Sequence, residues 1–147
     1  MCNNVREMTD LKILFLGATH EVTGSCTYLE VGDKKGIVDF GMEQGKDLFV
    51  NQEVPTDPSQ LDFVLLTHAH IDHSGRLPLL YKNGFRGLVY ASAATCSLSD
   101  IMLRDCANIQ ISDAEWKNRK AQRNGEDEVE PLYDLEDVEG LVKLLRP

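Results

Sequence analysis

The feature that most constrains this chain is the segment Thr-His-Ala-His-Ile-Asp-His, which directly follows a short apolar run at residues 63–66. Three of the four histidines lie in this one segment. The apolar run is too short for a helix and rich in β-favouring residues, so it predicts a buried strand. Because side chains in an extended segment alternate in direction, several motif residues are expected to project to one side, and a turn then brings in another. The side chains predicted to converge at this strand end are those of His68, His70, Asp72 and His73.

Neutral imidazole and carboxylate groups are ligands of zinc, iron and manganese. Two nitrogen-rich pairs this close together indicate two ions rather than one, and the spacing favours a catalytic site over a structural one. The alternative is a strand-to-helix loop in which each histidine is only hydrogen-bonded locally. That interpretation suits a lone histidine, but H-x-H-x-D-H after an apolar strand favours a metal centre.

Two further stretches narrow the assignment: GATHEVTGS at residues 17–25 and DFGMEQG at residues 39–45. Together with the histidine motif, they resemble the metallo-β-lactamase superfamily, and within it the β-CASP branch of RNA 3′-end-processing nucleases. The resemblance implies an α/β (α+β) fold, the αββα sandwich of that superfamily. Residues 1–10 would be an N-terminal tail, and residues 11–147 the N-terminal portion of the sandwich domain.

The resemblance also implies a role for each motif residue. His68 and His70 would bind one metal ion, and Asp72 with His73 would bind the second, with Asp72 also serving as a catalytic residue. Two zinc ions are expected, with iron or manganese as alternatives. Asp39 matches an acidic position that supports the ligand loop by hydrogen bonding, although it could simply cap the turn that follows it. His20 is not expected to be a ligand.

The predicted function is that of a metal-dependent hydrolase, most simply an RNA nuclease acting on single-stranded RNA. Two ions about 3.5–4 Å apart activate water and neutralise phosphodiester charge, so no serine or cysteine nucleophile is needed. The alternatives are a thioester or lactone hydrolase on the same fold, or a catalytically idle scaffold subunit. The superfamily's third histidine ligand, its bridging aspartate and the β-CASP insert would follow Pro147. The segment alone is therefore expected to be inactive, weakly metallated and prone to self-association.

Composition limits the partners and the compartment. A net charge of −9 argues against nonspecific binding of nucleic acid by the whole chain. The one basic stretch, residues 117–123, could touch phosphate or could pair with the acidic runs after it. The four cysteines form no C-x-x-C pair and are expected to be buried or half-buried in a reducing setting. Without a signal peptide or a membrane-spanning run, the sequence predicts a cytoplasmic protein with no membrane contact.

Local patterns predict the remaining elements. Strands are expected at residues 11–16, 26–31, 37–40, 63–66 and 87–91, the first three as an antiparallel meander. Residues 46–60 are predicted to cross the surface. A short helix is expected at 77–81, then a helix capped by Thr95 or Ser97 whose apolar stripe covers the sheet. A capping box at Ser112 would open a separate helix ending at Asn124-Gly125, and Asp134 would cap the last helix.

Overall fold

The computed structural model describes residues 10–44 and 52–147, and the predictions for the tail at 1–9, for Cys2 and for residues 45–51 lie outside those ranges. The described residues include one six-stranded sheet in which the strands lie side by side in chain order. The strands are β1 (Leu11–Gly17), β2 (Cys26–Val31), β3 (Lys34–Val38), β4 (Phe63–Leu65), β5 (Leu88–Tyr90) and β6 (Leu145–Arg146). All five predicted strands are present, with ends that differ by up to three residues.

The sheet is antiparallel on one side and parallel on the other. β1, β2 and β3 form the predicted meander, with Tyr28 opposite Ile37 and a turn at Gly32, whose φ of 60° suits glycine. β3, β4, β5 and β6 then run parallel to one another. Parallel neighbours need crossover connections, and the helices lie in these connections. The carboxyl ends of β3, β4 and β5 consequently meet at one edge of the sheet.

The helices cover one face of the sheet. They are α1 (Ile71–Ser74), α2 (Leu77–Lys82), α3 (Ala93–Asn124) and α4 (Leu135–Val142), with a 3₁₀ turn at Pro58–Gln60. Alternate strand residues Tyr28, Ile37, Val64 and Val89 are fully buried beneath them, together with Leu103 of α3. The mixed α/β fold predicted from the sequence is confirmed, since the described residues form a sheet with helices on one face.

The opposite face of the sheet is apolar and exposed. Its side chains include Leu11, Phe15, Leu65 and Tyr90, and Phe15 keeps 70% of its surface accessible. An apolar face of this kind favours burial against a further layer. The self-association inferred from the sequence stays a prediction, which sedimentation of the chain at increasing concentration would test.

Three predictions about α3 are wrong: its N-terminal cap, the separate helix at Ser112 and the burial of its apolar stripe. The helix runs unbroken through Ser112, and its N-terminal cap is Ser92, whose hydroxyl accepts from the Thr95 amide at 3.1 Å. The predicted apolar stripe is largely exposed, since Ile101 keeps 67% of its surface accessible. The buried positions of α3 are instead mostly small, namely Thr95, Ser99, Leu103, Ala107, Ala114 and Ala121. Small side chains let the helix axis approach its neighbours closely, so this face is buried although it is not the most hydrophobic one.

The predicted end of α3 at Gly125 and the predicted cap of α4 at Asp134 are confirmed, but the last helix does not reach Leu145, which lies in β6. α3 stops at Gly125, which adopts a left-handed conformation with φ 69°, and α4 begins at a capping box formed by Asp134 and Asp137. Cys26 is buried, while Cys96 and Cys106 are half-buried. No helix within the described residues is both long and apolar enough to cross a bilayer.

Candidate metal centre

The histidine motif lies at the carboxyl end of β4, between that strand and α1. The chain is still extended at His70, which has φ −60° and ψ 147° and precedes the first turn of α1. His68 and His70 therefore lie on the extended part of the segment, while Asp72 and His73 lie in the helical turn. The carboxyl edge of parallel strands is the usual place for a ligand site in sheets of this type, because loops from several strands meet there.

The four predicted ligand side chains lie close together. The ring centroid of His68 is 4.0 Å from that of His73 and 4.8 Å from that of His70. The Nε2 atom of His73 lies 3.6 Å from Asp72 Oδ2. None of the four is fully buried, so the cluster is open to solvent and to a substrate. The predicted convergence is therefore present, whereas the division of these residues between two ions stays a prediction.

Asp39 contacts the motif from the protein interior. It follows β3, keeps only 2% of its surface accessible and has a positive φ of 57°. Its Oδ1 accepts from the Thr67 amide at 2.8 Å, and its Oδ2 lies 2.8 Å from His73 Nδ1. The Thr67 hydroxyl lies 2.9 Å from the same Oδ2. A buried carboxylate with these contacts fixes the ring of His73 and the start of the motif, which the predicted supporting role requires.

Backbone hydrogen bonds tie the motif to the loop after β3. The Phe40 amide donates to the His73 carbonyl at 2.8 Å, and the Arg76 amide donates to the Phe40 carbonyl at 2.9 Å. The Ser25 amide donates to the Asp72 carbonyl at 2.9 Å. A Cβ added at Gly41 would collide with that Asp72 carbonyl, so only glycine allows this approach. Two other segments of the chain, the loop after β3 and the loop before β2, thus hold the motif backbone in place.

Three supporting residues were not predicted from the sequence. Thr67 binds Asp39 through both its amide and its hydroxyl, and the Ser25 hydroxyl approaches Asp39 Oδ2 at 3.4 Å. The Tyr133 hydroxyl donates to the Gly75 carbonyl at 2.7 Å from a fully buried position. Thr67 and Ser25 belong to motifs recognised in the sequence, so their position gave a signal. Tyr133 lies 58 residues from its partner, and no local pattern indicates that contact.

The motif donors have the chemistry of a cation site, although the described residues contain no group of three His, Cys, Asp or Glu side chains already arranged around one metal position. Neutral His73 that donates from Nδ1 to Asp39 presents a lone pair at Nε2. Nε2 lies 3.6 Å from Asp72 Oδ2. Two acceptors that converge in this way favour a cation between them, so the residues fit a nitrogen- and oxygen-liganded metal.

His20 lies on the loop between β1 and β2, where its side chain is exposed and its φ is 68°. Among the described residues it has no contact that joins it to the histidine cluster. The prediction that His20 is not a ligand is untested. Because it lies outside the cluster, His20 provides a control histidine for substitutions of the motif.

A buried arginine lies directly behind the motif. Arg76 keeps 7% of its surface accessible and places its guanidinium 4.1 Å from the centre of the Phe40 ring. It donates to the Gln52 carbonyl at 3.2 Å, and burial lowers the pKa of its guanidinium. Arg76 and Phe40 line a cavity of about 340 Å³, and Glu53 is another of its lining residues.

Comparison with known proteins agrees with this geometry. Residues 21–144 match the family model described as the metallo-beta-lactamase superfamily. The chain is 41% identical over 138 residues to Ribonuclease TTHA0252 of Thermus thermophilus, covering 93% of this chain and 28% of that protein. It is 32% identical over 111 residues to Transcription termination factor FttA of Methanosarcina mazei, covering 71% of this chain and 17% of that protein. It is also 31% identical over 125 residues to Probable RNase MJ4 of Methanocaldococcus jannaschii, covering 83% of this chain and 27% of that protein.

The chain thus spans less than a third of the length of these curated relatives. The predicted relationship to RNA-processing nucleases of the β-CASP type is confirmed by the similarity. With the family match extending over most of the sheet, the helices and the histidine motif, the chain belongs to the metallo-β-lactamase superfamily.

Proposed function

We propose that this chain carries the metal-binding part of a metal-dependent RNA nuclease. The observation that carries the proposal is the cluster of four motif side chains at the end of β4, fixed from beneath by buried Asp39. His68 and His70 would hold one divalent ion, and Asp72 with His73 would hold a second. RNA as the substrate is supported by relatives that are named as ribonucleases.

Divalent ions bound at such a cluster supply Lewis acidity to a phosphodiester and lower the pKa of water at the site. The protein's own contribution is to orient the ligands. Asp39 accepts from His73 Nδ1 and thereby directs Nε2 outward towards Asp72. The bond from the Thr67 amide to Asp39 fixes the backbone immediately before His68. Because a buried carboxylate and backbone hydrogen bonds hold these groups, the ligands would need little rearrangement during the reaction.

The donor set favours zinc among the metals that the sequence suggests. Three imidazole groups and one carboxylate suit zinc, while iron and manganese accept the same ligand types. All four side chains are reachable from solvent, so exchange of the metal in vitro is expected to be practicable. Metal identity and a cytoplasmic location stay predictions.

The direct test uses the complete protein with labelled single-stranded RNA, single-stranded DNA and a thioester, each with and without a chelator. We expect RNA to be cleaved preferentially and the activity to be lost on chelation. His68→Ala is expected to abolish cleavage, whereas His20→Ala, which removes a histidine outside the cluster, should leave it nearly unchanged. Cleavage of the thioester alone would replace the proposal with a small-molecule hydrolase, and inactivity on every substrate would favour a scaffold role.

A further inference from the structure

The C-terminal part of α3 carries an exposed aromatic and basic surface that the metal centre does not use. The four residues of this surface are spaced i, i+3, i+4 and i+7, so they share one face of the helix. They also line one shallow concavity. The residues, called the basic stripe below, are Trp116, Arg119, Lys120 and Arg123. Trp116 keeps 60% of its surface accessible, so its ring is available for contact with another molecule.

The cations of the basic stripe are largely unpaired within the described residues. Arg119 has one contact with a carboxylate, at 3.9 Å from Glu115, and both side chains are mostly exposed. Lys120 and Arg123 have no carboxylate within 4.0 Å in the described part of the chain. The alternative that this stretch is neutralised by the acidic residues after it is therefore not supported by the ion pairs present.

The acidic segment after α3 is held on another side of the helix. Glu128 accepts from the side-chain Nε2 of Gln122 at 2.9 Å. The Val129 backbone amide donates to Asn118 Oδ1, and the Val129 carbonyl accepts from Asn118 Nδ2. At 100° per residue, Asn118 and Gln122 lie roughly 130° around the helix from the middle of the basic stripe. Glu126 and Asp127 line a neighbouring concavity that shares Trp116 and Lys120. The stripe thus has carboxylates beside it but remains open along its outer surface.

The basic stripe is remote from the metal centre. α3 lies against the motif near Cys106, because buried Tyr133 contacts both the Cys106 thiol and the Gly75 carbonyl. At 1.5 Å per residue, Trp116 is about 15 Å further along α3 than Cys106, and Arg123 is about 25 Å further. Contacts at the stripe would therefore involve a part of the ligand that extends well beyond the reacting bond.

We propose that the basic stripe binds single-stranded RNA outside the metal centre, with one base stacked on Trp116 and phosphates held by the three cations. Stacking on an exposed ring together with a line of cations is the usual way in which proteins hold single strands without reading sequence. Duplex RNA keeps its bases stacked internally, so it cannot use the ring in the same way. The inference depends on the proposed function only for the choice of RNA as the polymer.

Intrinsic fluorescence gives a specific readout, because Trp116 is the only tryptophan in the chain. Titration of the 147-residue chain with a single-stranded RNA oligonucleotide is expected to quench its emission, and a duplex of the same length should quench it much less. The logarithm of the association constant should fall with the logarithm of salt concentration with a slope of about −2. Each of three phosphate contacts contributes about 0.7 to such a slope on single strands. Absence of quenching by single-stranded RNA would overturn the inference.

A charge-matched pair of variants localises the binding. Lys120→Glu and Lys12→Glu change the net charge equally, but Lys12 lies on β1 beside Glu30, away from α3. By anisotropy with labelled RNA, Lys120→Glu should weaken binding about tenfold and Lys12→Glu less than about twofold. Equal effects of the two variants would mean that only net charge matters and would overturn the inference. Circular dichroism of both variants checks that each remains folded.

Two further measurements separate this inference from its alternatives. His68→Ala should bind RNA as the unaltered chain does, because the stripe is independent of the metal ligands. Stripe-dependent binding would thus stand even if no cleavage were found. Polyglutamate is the comparison for an acidic protein partner. If it bound as tightly as RNA, with the same dependence on Lys120, the stripe would be a general acidic-partner surface and the RNA assignment would be overturned.

Discussion

The histidine motif and the basic stripe of α3 both carry polar side chains, but the motif side chains are fixed by the protein and those of the stripe are not. The motif is fixed by a buried carboxylate and by backbone bonds from two other loops. The basic stripe has one long contact between Arg119 and Glu115, and its side chains extend into solvent. Metal ligation and bond cleavage need side chains placed to within a fraction of an ångström, so a rigid support is required. A flexible polymer needs only accessible charge and a stacking surface.

Loss of Asp39 should have the largest effect, since it removes the common acceptor of the motif. Asp39→Ala is expected to leave the Thr67 amide and His73 Nδ1 without their partner, lowering the free energy of unfolding by about 3 kcal/mol. Activity of the complete protein should fall at least 10- to 100-fold, as for other residues that orient metal ligands. Chemical denaturation and RNA cleavage measure the two effects.

Asp39→Asn sharpens this test, because it keeps one oxygen acceptor and suits the left-handed backbone at this position. It should retain more stability than the alanine variant while still losing activity. If Asp39→Ala were as stable and as active as the unaltered protein, the idea that this carboxylate supports the motif would have to be abandoned.

A substitution at Gly41 tests the close approach of the two loops. Gly41→Ala forces apart the loop after β3 and the Asp72 carbonyl, and we expect a loss of about 3 kcal/mol in the free energy of unfolding. Gly125→Ala is the control without a steric clash, because an added Cβ at Gly125 meets nothing within 4 Å and is disfavoured only by the positive φ of that residue. The control should lose only about 1 kcal/mol. A loss at Gly41 no larger than that of the control would contradict the idea that the contact with the Asp72 carbonyl requires glycine at this position.

Tyr133 links the two regions, since its hydroxyl joins the motif exit at Gly75 to the middle of α3 at Cys106. Tyr133→Phe leaves the Gly75 carbonyl without this donor and should cost about 1–2 kcal/mol of stability. Metal content and cleavage should change little, because the motif keeps its other bonds. A large loss of activity with unchanged stability would mean that Tyr133 acts on the site more directly than its position indicates.

The smallest effect on the folded state is expected at the basic stripe. Lys120→Glu should leave the melting temperature almost unchanged, because the side chain is exposed and makes no ion pair within the described residues. Differential scanning calorimetry of Lys120→Glu and Asp39→Ala compares their melting temperatures directly. If Lys120→Glu unfolded the chain, the stripe would be part of the structural framework and not a binding surface.

Much of the candidate site was predictable because its signals are local. The apolar run before the motif, the spacing of the three histidines and the acidic residue after β3 are all visible within short windows of sequence. The residues that were missed form contacts across long separations, such as Tyr133 with Gly75.

The error at α3 has a related cause. Ile101 and Ile109 form an apolar pattern, yet they are exposed, while small residues such as Ser99 and Ala107 face the protein. Periodicity reports where hydrophobic side chains lie around a helix, but it does not report which face the rest of the chain covers. Close packing of small residues determines which face of α3 is buried.

The most direct test of the central claim is the metal content of the complete protein and of two ligand variants, measured by inductively coupled plasma mass spectrometry after dialysis. We expect about two equivalents in the unaltered protein and in His20→Ala, and a clear loss of metal in both His68→Ala and Asp72→Asn. Cleavage of RNA should be lost together with the metal. Two full equivalents with undiminished turnover in both ligand variants would contradict the assignment of the histidine motif as the metal centre.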